Sequence, residues 1–273
     1  MGGKNGAGPL QKGMGKLPDR ALLLMAGLIY LFLYAPILVL MVFSFNSSRS
    51  TRVWEGFSTQ WYAALWRDQS VLDALYNSLV VGVTSTIIAT IIGTLTAMAL
   101  TRHRFRGHGV ADSTIYAATV MPEIVVGVSL LVFFVAVGIG LGLTTIIIAH
   151  VAFNISFVTI VVRARLSGMD QSIEEAARDL GANSLQTFLR VTLPLILPGV
   201  MAGALLAFTL SFDDFVITFF VSGVGSSTLP LKIYSMIKFG VSPVINALST
   251  VILVATMILI FGGSRFFMGK EDA

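Results

Sequence analysis

The sequence contains no cysteine. Disulfides, thiolate zinc sites and cysteine-ligated iron–sulfur clusters are therefore excluded. Charge is also scarce. Only 12% of the residues are Asp, Glu, Lys or Arg, where a soluble domain carries about 25%. No G-x-x-x-x-G-K-[ST] pattern occurs, because Gly3-Lys4, Gly15-Lys16 and Gly269-Lys270 are followed by Asn5, Leu17 and Glu271. The chain thus supplies no P-loop of its own. No internal repeat is visible, and nothing is of low complexity beyond a Gly-rich beginning. What the chain does have is apolar surface. Its 273 residues are 55% hydrophobic, with a mean hydropathy of +0.86, which places it among membrane proteins.

A bilayer core takes about 20 apolar residues as helix. Six runs qualify, near 21–43, 76–100, 113–136, 143–163, 195–221 and 246–268. The third and fourth are separated only by a short link with Gly138, Gly140 and Gly142. Two spans fit the length better than one broken segment. Residues 1–20, with Lys4, Lys12, Lys16 and Arg20, read as a disordered cytosolic tail. The apolar run after them is too long for a signal peptide and has no small-residue cleavage site, so it reads as an uncleaved first span.

Lys and Arg placement sets the orientation. With an inside N-terminus, thirteen of the eighteen Lys and Arg residues fall on the cytosolic side. Both termini are therefore expected in the cytosol. The sidedness also accounts for the net charge of +4 without nucleic acid. The outer loops, 44–75 and 222–245, hold Trp54, Trp61, Tyr62, Trp66 and Tyr234, residue types that anchor at membrane interfaces.

One charged stretch stands out between the fourth and fifth runs: EEAARDLGANSLQTFLRVTLPLILP, residues 174–198. Ser172 followed by Glu175 has the spacing of a capping box, and Asp170 is an alternative cap. Gly181 suits the left-handed position that ends a helix. Asn183 or Ser184 can begin a second short helix, with Pro194 expected to end it. Ala176 and Ala177 keep the helix surface low, so another backbone can approach. Glu174, Glu175, Arg178 and Asp179 surround them with both signs of charge. A helix lying on headgroups usually carries Lys or Arg on its polar face. Three acids within six residues favour docking to a protein instead.

Glu175-Ala176-Ala177, then Gly181, then Leu193-Pro194, resembles the "EAA" signature of inner-membrane permease subunits of bacterial ABC importers. Asn77-Ser78-Leu79 opens the second run as in that family. The stretches VMPEIVVGVSLL (120–131), LAFTLSFDDFVI (206–217) and LPLKIYSMIKFGVSP (229–243) resemble spermidine/putrescine permeases in particular. The likeness covers about residues 20 to 265. One departure is Val244 after Ser242-Pro243, where relatives often carry an acid.

The resemblance implies an all-α polytopic fold of the type I ABC importer permease kind, with six transmembrane helices in a bacterial inner (plasma) membrane. It divides the chain into the tail (1–20), a first helix and outer loop (21–71) and a permease domain (72–265) containing a cytosolic coupling loop (166–194). It implies that Glu174, Glu175, Ala176, Ala177, Asp179 and Gly181 contact an ABC ATPase dimer. ATP and magnesium then sit on that partner, and no cofactor sits on this chain. A second permease, a sister subunit in a heterodimer or else a copy of this chain, and a periplasmic or extracellular polyamine-binding protein complete the expected assembly, with membrane lipid around it. No catalytic residue and no metal ligand is expected.

Three acids lie inside the apolar runs: Glu123, Asp213 and Asp214. An ionised Asp at a span's centre costs about 2.5–3.5 kcal/mol, so such residues usually face a bundle interior or a water-filled path. Glu123 is expected about 15 Å into a helical third span, with Pro122 kinking it. Asp213 and Asp214 are expected in the outer half of the fifth span, pointing about 100° apart, one to the path and one to a partner subunit. No Lys or Arg lies within the two runs that hold these acids to neutralise them. A passing organic cation could, aided by ring faces such as Phe212 and Phe215. Phe208 and Phe219 share the run. The bland alternatives are packing or lipid contact for the rings and interhelical hydrogen bonding for the acids. His150 is expected to be packed or to bridge helices rather than to bind a ligand.

Polyamine translocation by a non-catalytic ABC permease is therefore the leading expectation. An ABC permease for another small solute and an ion-coupled carrier of organic cations stay open. The carrier shares the buried acids but lacks both the paired repeats of such proteins and a reason for the charged loop. An intramembrane aspartyl protease would need two carboxylates to share a proton, and adjacent residues on a helix diverge.

Overall fold

The computed structural model describes residues 19–50, 53–238, 240 and 242–268. The expected tail lies outside them, save for Asp19 and Arg20 at the start of the first helix. In chain order the helices are α1 (Asp19–Phe43), α2 (Gln60–Arg67), α3 (Gln69–Arg102), α4 (His108–Val120), α5 (Glu123–Val137) and α6 (Leu143–Ser167). Then come α7 (Ser172–Asp179), α8 (Ser184–Thr187), a π-helical turn (Phe188–Thr192), α9 (Leu193–Asp213), α10 (Val216–Val221), α11 (Leu229–Lys238) and α12 (Pro243–Met268). The described chain is otherwise irregular, apart from one isolated β-bridge between Asn46 and Phe57.

Two compact units result. One comprises residues up to Arg67 together with those from Val241 onward, and the other runs from Asp68 to Gly240. In the first, α12 packs on α1 and α2. The loop between α1 and α2 is organised by Asn46. Its amide donates to the carbonyls of Val53 (2.7 Å) and Ser50 (3.2 Å), and its side-chain oxygen accepts the Glu55 N–H at 2.9 Å. The Trp61 indole donates to the Asn46 carbonyl at 2.6 Å, and the Tyr62 and Ser44 hydroxyls are hydrogen-bonded at 2.7 Å. These two aromatics therefore pin their own loop, beyond any role at the interface.

The second unit is built on α3, α6 and α9. One apolar cluster joins Ala97, Val158, Val162, Leu166, Ile196 and Ala207. Another joins Val81, Phe134, Ile146, Ala149, Ile217 and Val221. Small residues let the helices approach. A Cβ on Gly93 of α3 would lie 2.8 Å from the Val158 side chain of α6.

Among the described residues, four helical segments are long and apolar enough to cross a bilayer: Ala21–Phe43, Gln69–Arg102, Leu143–Ser167 and the continuous path Ser184–Asp213. α4 and α5 qualify only together, bent by 111°. This corrects the expectation of a helical span through 113–136 with Glu123 part-way along it. Pro122 has no N–H and drives the preceding residue out of helical dihedrals. Met121 sits at φ −68°, ψ 130° and Pro122 at φ −59°, ψ 133°, so the chain turns a corner there. α12 is helical over 26 residues, Pro243–Met268, and its stretch Pro243–Ile258 is apolar.

The fifth run also departs from expectation, at both ends. Pro194 does not stop the short helix before it. The turn ahead of it is π-helical, with the Leu193 N–H bonded back to the Phe188 carbonyl. That wider turn takes up the register where proline supplies no donor. At the far end α9 stops at Asp213, and α10 begins only at Val216.

α3 begins beside Asp68, whose carboxylate accepts the Ser70 N–H (3.0 Å), the Ser70 hydroxyl (2.6 Å) and the Val71 N–H (3.4 Å). The Ser70 hydroxyl is the chief reason its carboxyl is held below the usual Asp range, with the backbone bonds and the Lys232 charge adding to it and partial burial opposing. A lowered folded-state pKa means the cap stabilises fully above the unfolded-state value and fades only as pH falls through the folded one. Asp68→Ala is expected to cost about 1 kcal/mol, read as a lower unfolding temperature at neutral pH. The difference from the parent should shrink in acid below the ordinary carboxylate range.

Candidate functional site

α7 carries the charged loop. Its first turn is held by Asp170, which accepts the Ser172 N–H at 2.9 Å, a bond that holds this exposed carboxyl below its usual range. Ser172 is thus the first helical residue, and the Ser172–Glu175 capping box does not form. The far end closes as a Schellman motif. The Gly181 N–H bonds to the Arg178 carbonyl (2.9 Å) and the Ala182 N–H to that of Ala177 (3.1 Å). Gly181 takes φ +90°, a conformation open to Gly at no steric cost. Asn183 then starts α8 through a reciprocal box with Gln186, at 2.9 and 3.0 Å.

The loop's acids divide by direction. Glu174 turns inward. It is buried, lies 3.1 Å from the Arg102 guanidinium and accepts the Thr192 hydroxyl at 2.8 Å. This corrects its expected place on the docking face: it fastens the loop to its own bundle. Glu175, Ala176, Asp179 and Gly181 are exposed, and Ala177 is half-buried. Leu180, which motif reasoning passed over, is 90% exposed. A polar cleft of about 280 Å³ lies between α3 and α7, lined by Arg102, Glu174, Glu175, Arg178 and Thr192 among others.

The intramembrane acids also divide. Asp214 does not follow Asp213 around a helix, as expected from their adjacency. It is extended at φ −65°, ψ 124°. Its carboxylate caps α10, accepting the N–H groups of Ile217 (3.2 Å) and Thr218 (2.8 Å) and the Thr218 hydroxyl (2.7 Å). His150 Nε2 lies 3.1 Å from the same carboxylate and 3.0 Å from the Thr218 hydroxyl, and its Nδ1 lies 2.6 Å from the Ser211 hydroxyl. Ser211 in turn meets Ser85 at 2.9 Å. The ring thus meets a carboxylate and a hydroxyl at one nitrogen and a second hydroxyl at the other. His150 therefore bridges α6 to the α9–α10 break, as expected.

Asp213 is exposed, and so is Glu123 in the first turn of α5. Glu123 lies about one turn before Gly127 on α5, and Asp213 and Asp214 lie three to four residues before Ile217 on α10. α10 packs on α5, where a Cβ at Gly127 would lie 2.8 Å from the Phe220 ring. That Cβ would also lie 3.3 Å from the Ile217 backbone, so the break in one helix and the corner in the other place all three acids beside one helix contact. Of the expected rings, Phe215 meets Tyr234 at 4.7 Å and Phe219 at 5.6 Å between centroids, whereas Phe212 stacks on Phe208 at 5.7 Å. Tyr234, read from sequence only as an interface anchor, joins the cluster beside the acids. Among the described residues no group of three or more His, Cys, Asp or Glu side chains is placed to hold a metal ion.

Residues 89–267 match the family described as the binding-protein-dependent transport system inner membrane component. The chain belongs to that family. This makes it a permease subunit, a transport component rather than an enzyme, in a multi-pass arrangement in a bacterial inner membrane. The permease is 46% identical over 242 residues to the spermidine/putrescine transport system permease protein PotC of Escherichia coli (strain K12), covering 89% of this chain and 92% of the relative. It is equally 46% identical, over 251 residues, to the putrescine transport system permease protein PotI of the same organism, covering 89% of each. A solved bacterial ABC transporter involved in the import of the acidic polysaccharide alginate matches with a TM-score of 0.74 at 19% identity, over 91% of this chain and 96% of that one. At that identity the likeness shows the type I importer fold alone.

Replacing His150 by Ala in the permease leaves the Asp214 carboxylate with its Thr218 and Ile217 donors but without the imidazole. Loss of one partner of a buried polar group costs about 1–3 kcal/mol. The expected result is a lower unfolding temperature in detergent, with Ser211 variants following in the same direction.

Proposed function

We propose that this permease moves spermidine or putrescine inward across the membrane, driven by ATP hydrolysis on a separate subunit. The observation that carries the substrate class is the 46% identity to two permeases named for those polyamines. The chemistry agrees. Exposed Asp213 and Glu123 lie with Asp214 beside the contact of α5 with α10, and the two apolar runs that hold these acids contain no Lys or Arg to neutralise them. An alkyl-ammonium cation satisfies carboxylates and ring faces together. Sulfate or phosphate would be repelled.

The loop containing α7 is the docking surface for an ABC ATPase dimer, which carries the nucleotide and its magnesium. Leu180 is the apolar anchor, with Glu175, Ala176 and Asp179 around it. The remaining partners are a second permease subunit, as a heterodimer, and a polyamine-binding protein on the opposite face. Closure of the ATPase moves α7, the bundle opens outward, the polyamine passes Asp213 towards Glu123, and hydrolysis resets the bundle. Asp214, committed to His150 and the start of α10, shapes this passage rather than meeting the cargo directly.

Uptake of labelled putrescine into proteoliposomes holding the whole complex tests the proposal. ATP-dependent uptake without any ion gradient supports it. Uptake driven by a proton gradient in the absence of the ATPase would establish the ion-coupled carrier instead.

A further inference from the structure

α3 is fastened at both ends by different chemistry. At one end the Arg102 guanidinium lies 3.1 Å from Glu174, with side chains only 11% and 9% exposed. The same Glu174 oxygen accepts the Thr192 hydroxyl, so α3, α7 and the π-helical turn meet on one atom. At the other end Asn77 donates to the carbonyls of Gly225 (3.2 Å) and Ser227 (3.0 Å), and the Leu229 N–H donates to the Ser78 hydroxyl at 2.7 Å. These contacts hold the segment that leads into α11. Between the two fastenings α3 runs roughly 38 Å at 1.5 Å per residue, without a proline. The neighbouring paths differ: α4–α5 turns a corner and α9–α10 is interrupted.

We propose that α3 is a strut. It carries displacement of α7 to the segment 225–229, with Arg102 as its positioning residue at one end and Asn77 at the other. A buried ion pair cannot slide apart without leaving an unpaired charge, so α7 and the end of α3 move as one piece. The proposal rests on the reading of α7 as the ATPase docking helix. Coupling between sites is reciprocal. The strut therefore also carries a signal from the binding-protein side back to the ATPase.

The test uses the complete complex in lipid, with two readouts: stimulation of ATP hydrolysis by polyamine-loaded binding protein, and polyamine moved per ATP hydrolysed. Arg102→Gln and Asn77→Ala are each expected to keep unstimulated hydrolysis and to lower both readouts by about fivefold or more, the low end of typical coupling. Arg102→Lys should recover part of the loss. Assembled variants with parental stimulation and parental stoichiometry would overturn the strut. A parental complex that binds no ATPase would instead sink the reading of α7, and the strut with it.

A second measurement does not depend on the variants folding. The chain has no cysteine, so Tyr76→Cys and Ser172→Cys place two spin labels on exposed sites near the ends of the strut. Their separation should hold within about 2 Å between nucleotide-free and ATP-trapped complexes, the scale on which packed helices shift. A change of about one helical turn, 5.4 Å, would show α3 and α7 moving independently and overturn the proposal.

Discussion

Asp213→Asn lowers ATP-driven polyamine uptake by about 10- to 100-fold while leaving the permease folded. A hydrogen bond to a charged group contributes about 1.5–3 kcal/mol, and 1.4 kcal/mol is tenfold. The carboxamide keeps the shape and removes the charge. Asp213 is exposed, so nothing in the chain's own packing depends on it. Glu123→Gln should have a similar effect, because its carboxylate is also exposed beside the contact of α5 with α10. Asp214→Asn behaves differently. Its carboxylate is the cap of α10 and the partner of His150, so this variant should lose thermal stability together with uptake. Separate outcomes for the two neighbours, in unfolding temperature as well as in uptake, are the signature of one acid free for cargo and one committed to the fold. Parental uptake by Asp213→Asn would remove the cation path.

Leu180→Asp abolishes the energy supply without disturbing the bundle. The side chain is 90% exposed, so within this chain the change should be nearly silent, and the unfolding temperature should stay at the parental value. In the assembly the effect is large. An apolar anchor at the centre of an interface is worth about 2 kcal/mol or more, roughly 30-fold in affinity, and a carboxylate there must also be desolvated. The ATPase should fail to co-purify, and ATP-driven uptake should fall to background. Retention of both would show that the exposed leucine faces solvent or lipid in the working complex.

Both predictions turn on features that the sequence displayed unequally. The apolar runs, the Gly181 turn and the family motifs were legible because each depends on local pattern: span length, a left-handed position, a fixed spacing. The three acids were legible as exceptions in an apolar setting. Their grouping was not, since it depends on where helices break. Pro122 marked a kink, but the size of the turn, a corner of 111°, is not encoded in local pattern. Nothing local indicated that Asp214 leaves the helix, because its partner His150 lies 64 residues away. Glu174 misled for the same reason. An acid in a charged helix reads as solvent-facing until Arg102, 72 residues earlier, is seen beside it. Tyr234 was visible only as an aromatic in an outer loop, and it takes α11 to bring it against Phe215. Leu180 carried a signal that motif reading overlooked: a lone apolar residue at the end of a polar helix, just before the glycine that turns the chain.

The central claim is that force enters through α7 from another polypeptide. Ala176 is exposed on that helix, and the chain has no cysteine, so Ala176→Cys gives this subunit a single reactive thiol. Crosslinking from that position in intact cells should yield one major adduct, a nucleotide-hydrolysing subunit, with a yield that changes when ATP is trapped. Adducts confined to lipid, or a yield indifferent to nucleotide, would contradict the account.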